Sequence, residues 1–199
     1  MANGLSTRLQ HMANTYQHQT QVPFGQLVDD LKEGGFCLLL ILFSSPTALP
    51  LPAIPGLTFI LSLPVLLLSL QLLIGLRTPW LPRWLRRKEL KGKTLNHILT
   101  KLAGYVVKIE HILKPRLRFL SSRPGEQLLG LVFLILGISV ALPFPLTNTI
   151  PSMGIIIIAV GLLERDGLAM LAGMAVGAAG ITLAILVYFL GLEAIKTLF

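Results

Sequence analysis

Long apolar blocks separated by short polar punctuation set the pattern of this chain. No charged residue occurs between Glu33 and Arg77, between Glu126 and Glu164, or between Asp166 and Glu193. Uncharged runs of that length are the signature of segments placed in hydrocarbon. In the first block, Phe36 to Leu49 is a 14-residue apolar arm, about 21 Å of helix against a hydrocarbon thickness of about 30 Å. Pro50, Pro52, Pro55 and Gly56 then interrupt it, and a second arm runs from Leu57 to Leu76, itself expected to bend or break near Pro64. The same plan returns from Leu128 to Leu142, through Pro143, Pro145 and Pro151, to an arm from Ser152 to Leu163 that is too short to cross a bilayer alone.

The two blocks form an internal repeat at an offset of 93 residues. Ala48-Leu49-Pro50-Leu51-Pro52 becomes Ala141-Leu142-Pro143-Phe144-Pro145, and Gln71 falls on Glu164. Broken backbone is tolerated in hydrocarbon only where protein or a watery cavity satisfies its polar groups, so the two breaks are expected to meet. Paired re-entrant hairpins satisfy that requirement. Four thin or tilted spans with proline kinks remain the alternative.

Outside the blocks the periodicity becomes helical and amphipathic. Phe24, Leu27, Val28 and Leu31 predict a short lead-in helix on the membrane surface between Pro23 and Glu33, preceded by a polar N-terminus without a signal-peptide core. Leu95, Ile98, Leu99, Leu102, Val106, Ile109 and Leu113 predict a second amphipathic helix lying in the membrane interface. The uncharged run from Gly167 to Leu190 is long enough for one transmembrane helix. Gly173, Gly177 and Gly180, with several alanines, fit it for close packing against a repeat hairpin or a second copy of the chain.

The expected architecture is an all-α membrane protein: two Pro-broken helical hairpin repeats, a basic interfacial helical linker and one C-terminal transmembrane helix. Its divisions are 1–33, 34–76, 77–126, 127–163 and 164–199. Composition agrees, with 53% hydrophobic and 13% charged residues and a mean hydropathy of +0.74. Charge adds orientation. Of 17 Lys and Arg, 13 lie between Arg77 and Arg123, against Glu89 and Glu110 alone. That places the linker on the cytoplasmic side of the membrane, with anionic lipid head groups rather than nucleic acid as its partner. Trp80 and Trp84 among Arg83, Arg86 and Arg87 supply an interfacial anchor.

At these residues the sequence resembles the ExoD family of exopolysaccharide-synthesis proteins. The resemblance runs from Phe24-Gly25-Gln26-Leu27 and Gly35-Phe36 through the two Ala-Leu-Pro-x-Pro sequences. It includes Gln71-Leu72-Leu73-Ile74-Gly75, Pro79-Trp80-Leu81-Pro82, Asn148, Pro151 and Leu163-Glu164-Arg165-Asp166-Gly167. Gly34 departs from the basic residue expected there. The resemblance implies a bacterial membrane protein linked to exopolysaccharide production and no assigned reaction.

Candidate binding residues therefore come from physical reading. Each break places a helix start, with exposed amides, beside a helix end. The second break is the more polar, with Thr147, Asn148, Thr149 and Ser152, while Thr58 and Gln71 belong to the first unit. Capping of helix starts is the competing role for such side chains. Glu164, Arg165 and Asp166, between a short arm and a spanning helix, are either functional or a staple pairing with Arg77 or Arg83. His11, His18, His97 and His111 lack partners at metal-ligand spacing, Cys37 stands alone, and no nucleophile has a base beside it. No metal, cofactor or enzymatic activity is expected. Two functions follow: a non-enzymatic membrane component of exopolysaccharide synthesis or export, which assembles with itself or other membrane subunits, or a small transporter or flippase with its site between the breaks.

Overall fold

The structure is a computed structural model that describes residues 5–31, 34–49, 57–117, 119–142 and 148–198. Nine helices and one two-stranded ribbon are present among the described residues. The helices are α1 (Leu5–Gln17), α2 (Phe24–Leu31), α3 (Gly34–Ala48), α4 (Leu57–Ile74), α5 (Arg83–Arg86), α6 (Gly92–Ile112), α7 (Arg123–Ala141), α8 (Thr149–Leu163) and α9 (Gly167–Leu198). The ribbon joins β1 (Gln21–Pro23) to β2 (Glu89–Lys91) antiparallel, with Val22 opposite Leu90. It is an addition to the all-helical expectation, pinned by Val22, which is fully buried.

Helices α3, α4, α7, α8 and α9 form a bundle in which α3 lies against α4 and α8, α4 against α7, and α8 against α9. Its core is mainly apolar, with Phe36, Leu40, Val65, Leu129, Phe133, Ile155 and Ile158 buried together. Glycine lets two of these pairs come to backbone contact. A Cβ on Gly154 would sit 2.7 Å from the Gly177 Cα, and one on Gly130 would sit 2.4 Å from the Leu73 amide nitrogen. The small-residue stripe of α9 is therefore satisfied within the chain, by α8, and of the two expected neighbours the hairpin is the one in place.

Two helices, Arg123–Ala141 and Gly167–Phe189, are long and apolar enough to cross a membrane. At 15 residues each, α3 and α8 are about 22 Å long and fall short of the hydrocarbon thickness. Helix α4 runs unbroken through Pro64, contrary to the expected bend or break. Its flanks, Ser62 and Val65, are buried, and the Ser62 hydroxyl donates to the Phe59 carbonyl at 2.7 Å in the preceding turn. Helix α7 begins at Arg123, inside the expected linker, because Pro124 is tolerated in a first turn.

The amphipathic segments turn out to face protein. Leu95, Leu99, Ala103 and Val106 of α6 pack on Leu9, Ala13 and Tyr16 of α1, so the stripe expected to lie against lipid is covered by the N-terminal helix. Periodicity reports which face is buried and is silent on what buries it. The approach is close: a Cβ on Gly92 would lie 2.0 Å from the Gln19 carbonyl oxygen, and Asn96 donates to the Ala13 carbonyl at 2.9 Å. Helix α2 likewise turns Val28 into the bundle core and Leu27 and Leu31 toward the α1/α6 layer, instead of resting on a membrane. Asp29 pairs with Arg86 over Gly25, and Tyr16 donates to Asp30.

Candidate functional site

The breaks are flanked by a small buried polar cluster. At the end of α3, the Thr47 hydroxyl donates to the Ser44 carbonyl at 2.9 Å and meets the Ser152 hydroxyl of α8 at 2.8 Å. Ser152 in turn donates its amide to the Asn148 carbonyl at 3.1 Å. The flanks of the two breaks thus touch across 105 positions of sequence. Ser44 Oγ and Asn148 Oδ1 are buried without a hydrogen-bond partner among the described residues. Pro50, Pro52, Pro143, Pro145 and Thr147 lie outside the described residues. Pro151, expected as part of the break, sits instead in the first turn of α8, where its missing amide costs no helical hydrogen bond. Thr58 and Thr149 occupy the first turns of α4 and α8 and are half-buried.

Gln71 has a bracing role. Its side chain accepts from the Trp80 amide at 2.6 Å and donates to the Trp80 carbonyl at 3.1 Å, tying the end of α4 to the loop that follows. This bidentate pairing with one backbone residue uses one donor and one acceptor of the amide and fixes its orientation.

Helices α4 and α8 end alike. After α4, the Gly75 amide donates to the Leu72 carbonyl and the Leu76 amide to the Gln71 carbonyl, with Gly75 at φ +86°. After α8, the Arg165 amide donates to the Leu162 carbonyl and the Asp166 amide to the Gly161 carbonyl, with Arg165 at φ +55°. Both are Schellman endings, with the left-handed residue that closes the last turn. Glu164 forms the C-cap of α8.

Asp166 is buried and caps α9, accepting from the Leu168 amide at 2.9 Å and the Ala169 amide at 3.4 Å. It also accepts from the Lys114 amide at 3.0 Å, and the Gly167 amide donates to the Arg116 carbonyl at 2.9 Å. Burial pushes its pKa up, but the three amides and the nearby Arg116 outweigh it and hold the carboxyl below its ordinary value. The expected staple exists for Asp166, with different partners: the strand-like stretch after α6 takes the place of Arg77 and Arg83. Backbone amides offer an aspartate better-fixed donors than a long side chain does, and nothing in the spacing of charges announces them.

Arg165 points elsewhere. It lines a cleft of about 470 Å³ together with Arg77 and Arg123, at the level where α4 ends, α7 begins and α8 turns into α9. Gly75, Glu126 and Gln127 complete its wall. Arg123 entered the sequence reading only as a member of a basic loop, and Arg77 only as a possible staple partner. The signal that singles them out is their position: each abuts the end of an apolar helix.

The chain matches the family described as "Exopolysaccharide synthesis, ExoD" over residues 5–186. It is 34% identical over 171 residues to an uncharacterised protein of Synechocystis, covering 85% of this chain and 80% of that protein. It is 33% identical over 152 residues to Protein ExoD of Rhizobium meliloti, covering 74% of this chain and 62% of that protein. No solved structure matches it. The sequence resemblance and these alignments agree over most of the chain, and the protein belongs to the ExoD family.

Proposed function

We propose that this protein is a multi-pass component of the bacterial inner membrane that supports exopolysaccharide synthesis or export without catalysing a reaction, with its basic linker on the cytoplasmic side. The observation behind the membrane placement is the outer surface of the bundle. Phe59, Ile60, Leu63, Leu67 and Leu70 of α4 are exposed, as are Leu128, Leu131, Ile135 and Ile138 of α7 and Ile185, Leu186 and Phe189 of α9. A belt of that size is far beyond the isolated apolar residues of a soluble surface and needs lipid or a partner to cover it. Trp80 and Trp84, both exposed beside the arginines, suit the boundary with water.

Contacts between the hairpins support the repeat. The 93-residue offset maps α3 on α7 and α4 on α8, and both inter-hairpin contacts, α3 with α8 and α4 with α7, pair a first arm with the other unit's second arm. Re-entrant hairpins fit the shortness of α3 and α8 and the meeting of Thr47 with Ser152. The core between them is filled by Phe36, Leu40, Phe133 and Ile155, which favours a packed, non-enzymatic component. The link to polysaccharide rests on the family, whose description is exopolysaccharide synthesis.

A second reading, a small transporter or flippase, is favoured by one observation: Ser44 Oγ and Asn148 Oδ1 are buried at the breaks with their hydrogen-bonding capacity unused among the described residues. The two readings part on complementation. In a bacterium deprived of its own ExoD-family gene, the wild-type chain should restore secreted polysaccharide and should resist alkaline extraction from membranes. A Ser44→Ala/Asn148→Ala chain that restores polysaccharide fully supports the packed component, whereas a stable, membrane-inserted chain that restores none assigns the cluster to transport. Recovery of the wild-type chain in the soluble fraction would overturn both.

A further inference from the structure

We propose that the cleft between the end of α4, the start of α7 and the α8–α9 turn is a binding site for a phosphate group, whose three arginines Arg77, Arg123 and Arg165 hold the anion.

Arg77, Arg123 and Arg165 line one cleft of about 470 Å³ whose wall contains a single carboxylate, Glu126, so basic side chains outnumber acidic ones three to one. Arginine is the side chain whose planar, five-donor fork matches phosphate oxygens, and it remains charged at every physiological pH. The helix ends add little net field, because the start of α7 and the end of α4 bring partial charges of opposite sign to the same place. Two of the carbonyls at the end of α4, those of Gln71 and Leu72, are already taken by Leu76 and Gly75, so they do not compete for the arginines.

The three arginines come from three separate elements, which is what a site needs and a run of basic sequence does not provide. Arg77 follows α4 by three positions, Arg123 opens α7, and Arg165 is held in the turn after α8 at φ +55°. A non-glycine residue is strained in that conformation, and Gly75 occupies the corresponding place after α4. The cleft also lies where apolar helices end, the level at which lipid phosphates sit. Its occupant is thus a phosphate borne by a lipid or a free phosphate. The lipid source rests on the membrane placement above, and free phosphate does not.

The test uses the full chain in micelles of dodecyl maltoside, which carries no phosphate, with short-chain phosphatidylglycerol or inorganic phosphate titrated in. An Arg77→Gln/Arg123→Gln/Arg165→Gln chain is compared with one carrying Arg83→Gln/Arg87→Gln/Lys88→Gln, equal in charge removed but outside the cleft. Loss of affinity of about tenfold or more in the cleft variant, with about threefold or less in the linker variant, is the expected result. Equal loss in the two, or loss in neither, overturns the site. Arg77→Gln and Arg123→Gln singly, both at exposed positions, keep the test open if the triple variant does not fold. Either alone should weaken binding severalfold, and no change in both would overturn the site too. Saturable binding of inorganic phosphate assigns the free anion; phosphatidylglycerol binding that millimolar phosphate does not displace assigns the lipid-borne group. A chain that washes out of membranes but still binds inorganic phosphate would refute the membrane placement and leave the cleft standing.

Discussion

The five-helix bundle and the α1/α6 layer use similar apolar residues with opposite outer surfaces. In the layer, a single stripe of Leu95, Leu99 and Val106 is buried on Leu9 and Ala13, and the outward positions are Gln10, Asn14, Lys93, His97 and Lys101. In the bundle the core is just as apolar, yet the outward positions are Leu63, Leu67, Leu131 and Ile135. A stripe with a polar back is the pattern of a helix pair formed in water, while a helix apolar on both sides needs a second apolar medium. The contrast separates what burial by protein explains from what it leaves over.

The largest effect should come from inside the bundle. Gly154→Leu would place a side chain where the Gly177 backbone already stands, and α8 and α9 would have to part along their length. We expect loss of the folded species, a destabilisation of about 3 kcal/mol or more. Size-exclusion profiles and thermal unfolding in detergent should show it, while Met153→Leu, at the exposed neighbouring position, should behave as wild type.

Next in size is the outer face. Leu67→Lys sets a charge in the middle of α4 on its exposed side, which costs about 2.5–3.5 kcal/mol in hydrocarbon and little in water. Thr100→Lys on exposed α6 should be within about 0.5 kcal/mol of wild type. Membrane-inserted yield measures both. If Leu67→Lys inserts as well as Thr100→Lys, the exposed belt of the bundle does not face lipid.

The sequence reading recovered what depends on hydrophobicity and proline. The helical arms, the shortness of α3 and α8 and the long last helix follow from apolar runs measured against helix rise and bilayer thickness. It missed what depends on pairing between distant segments. The stripe of α6 was legible, but its cover, α1, comes from a polar-looking stretch in which only Leu9, Ala13 and Tyr16 face inward. Two of the cleft arginines, Arg77 and Arg123, were hidden in a region where 13 basic residues look alike, and only the positions where α4 ends and α7 begins bring them beside Arg165. Of the candidate residues, Gln71 and Asp166 proved to hold backbone, a role that depends on amides with no side-chain signature.

The smallest effect concerns the joint between the two regions. Asp166 belongs to the bundle through its cap on α9 and to the layer through the Lys114 amide, two residues past the end of α6. Its carboxylate is favoured in the folded state, so its pKa there is below the unfolded value of about 3.9. The stability it contributes is complete above that unfolded value and is lost as pH falls through the lower folded one. Acidification below about pH 4 should therefore loosen the joint, and near neutral pH it should not. Asp166→Asn keeps an acceptor oxygen and loses the charge, so it should cost about 1 kcal/mol, in the range of a helix cap. It should also remove the acid-dependent part of the loosening. Hydrogen exchange resolved at residues 114–117 and 167–169 reads both directly. If exchange there rises with acid equally in wild type and Asp166→Asn, the joint is held by the Gly167 to Arg116 backbone bond alone, and the two regions are coupled without help from the carboxylate.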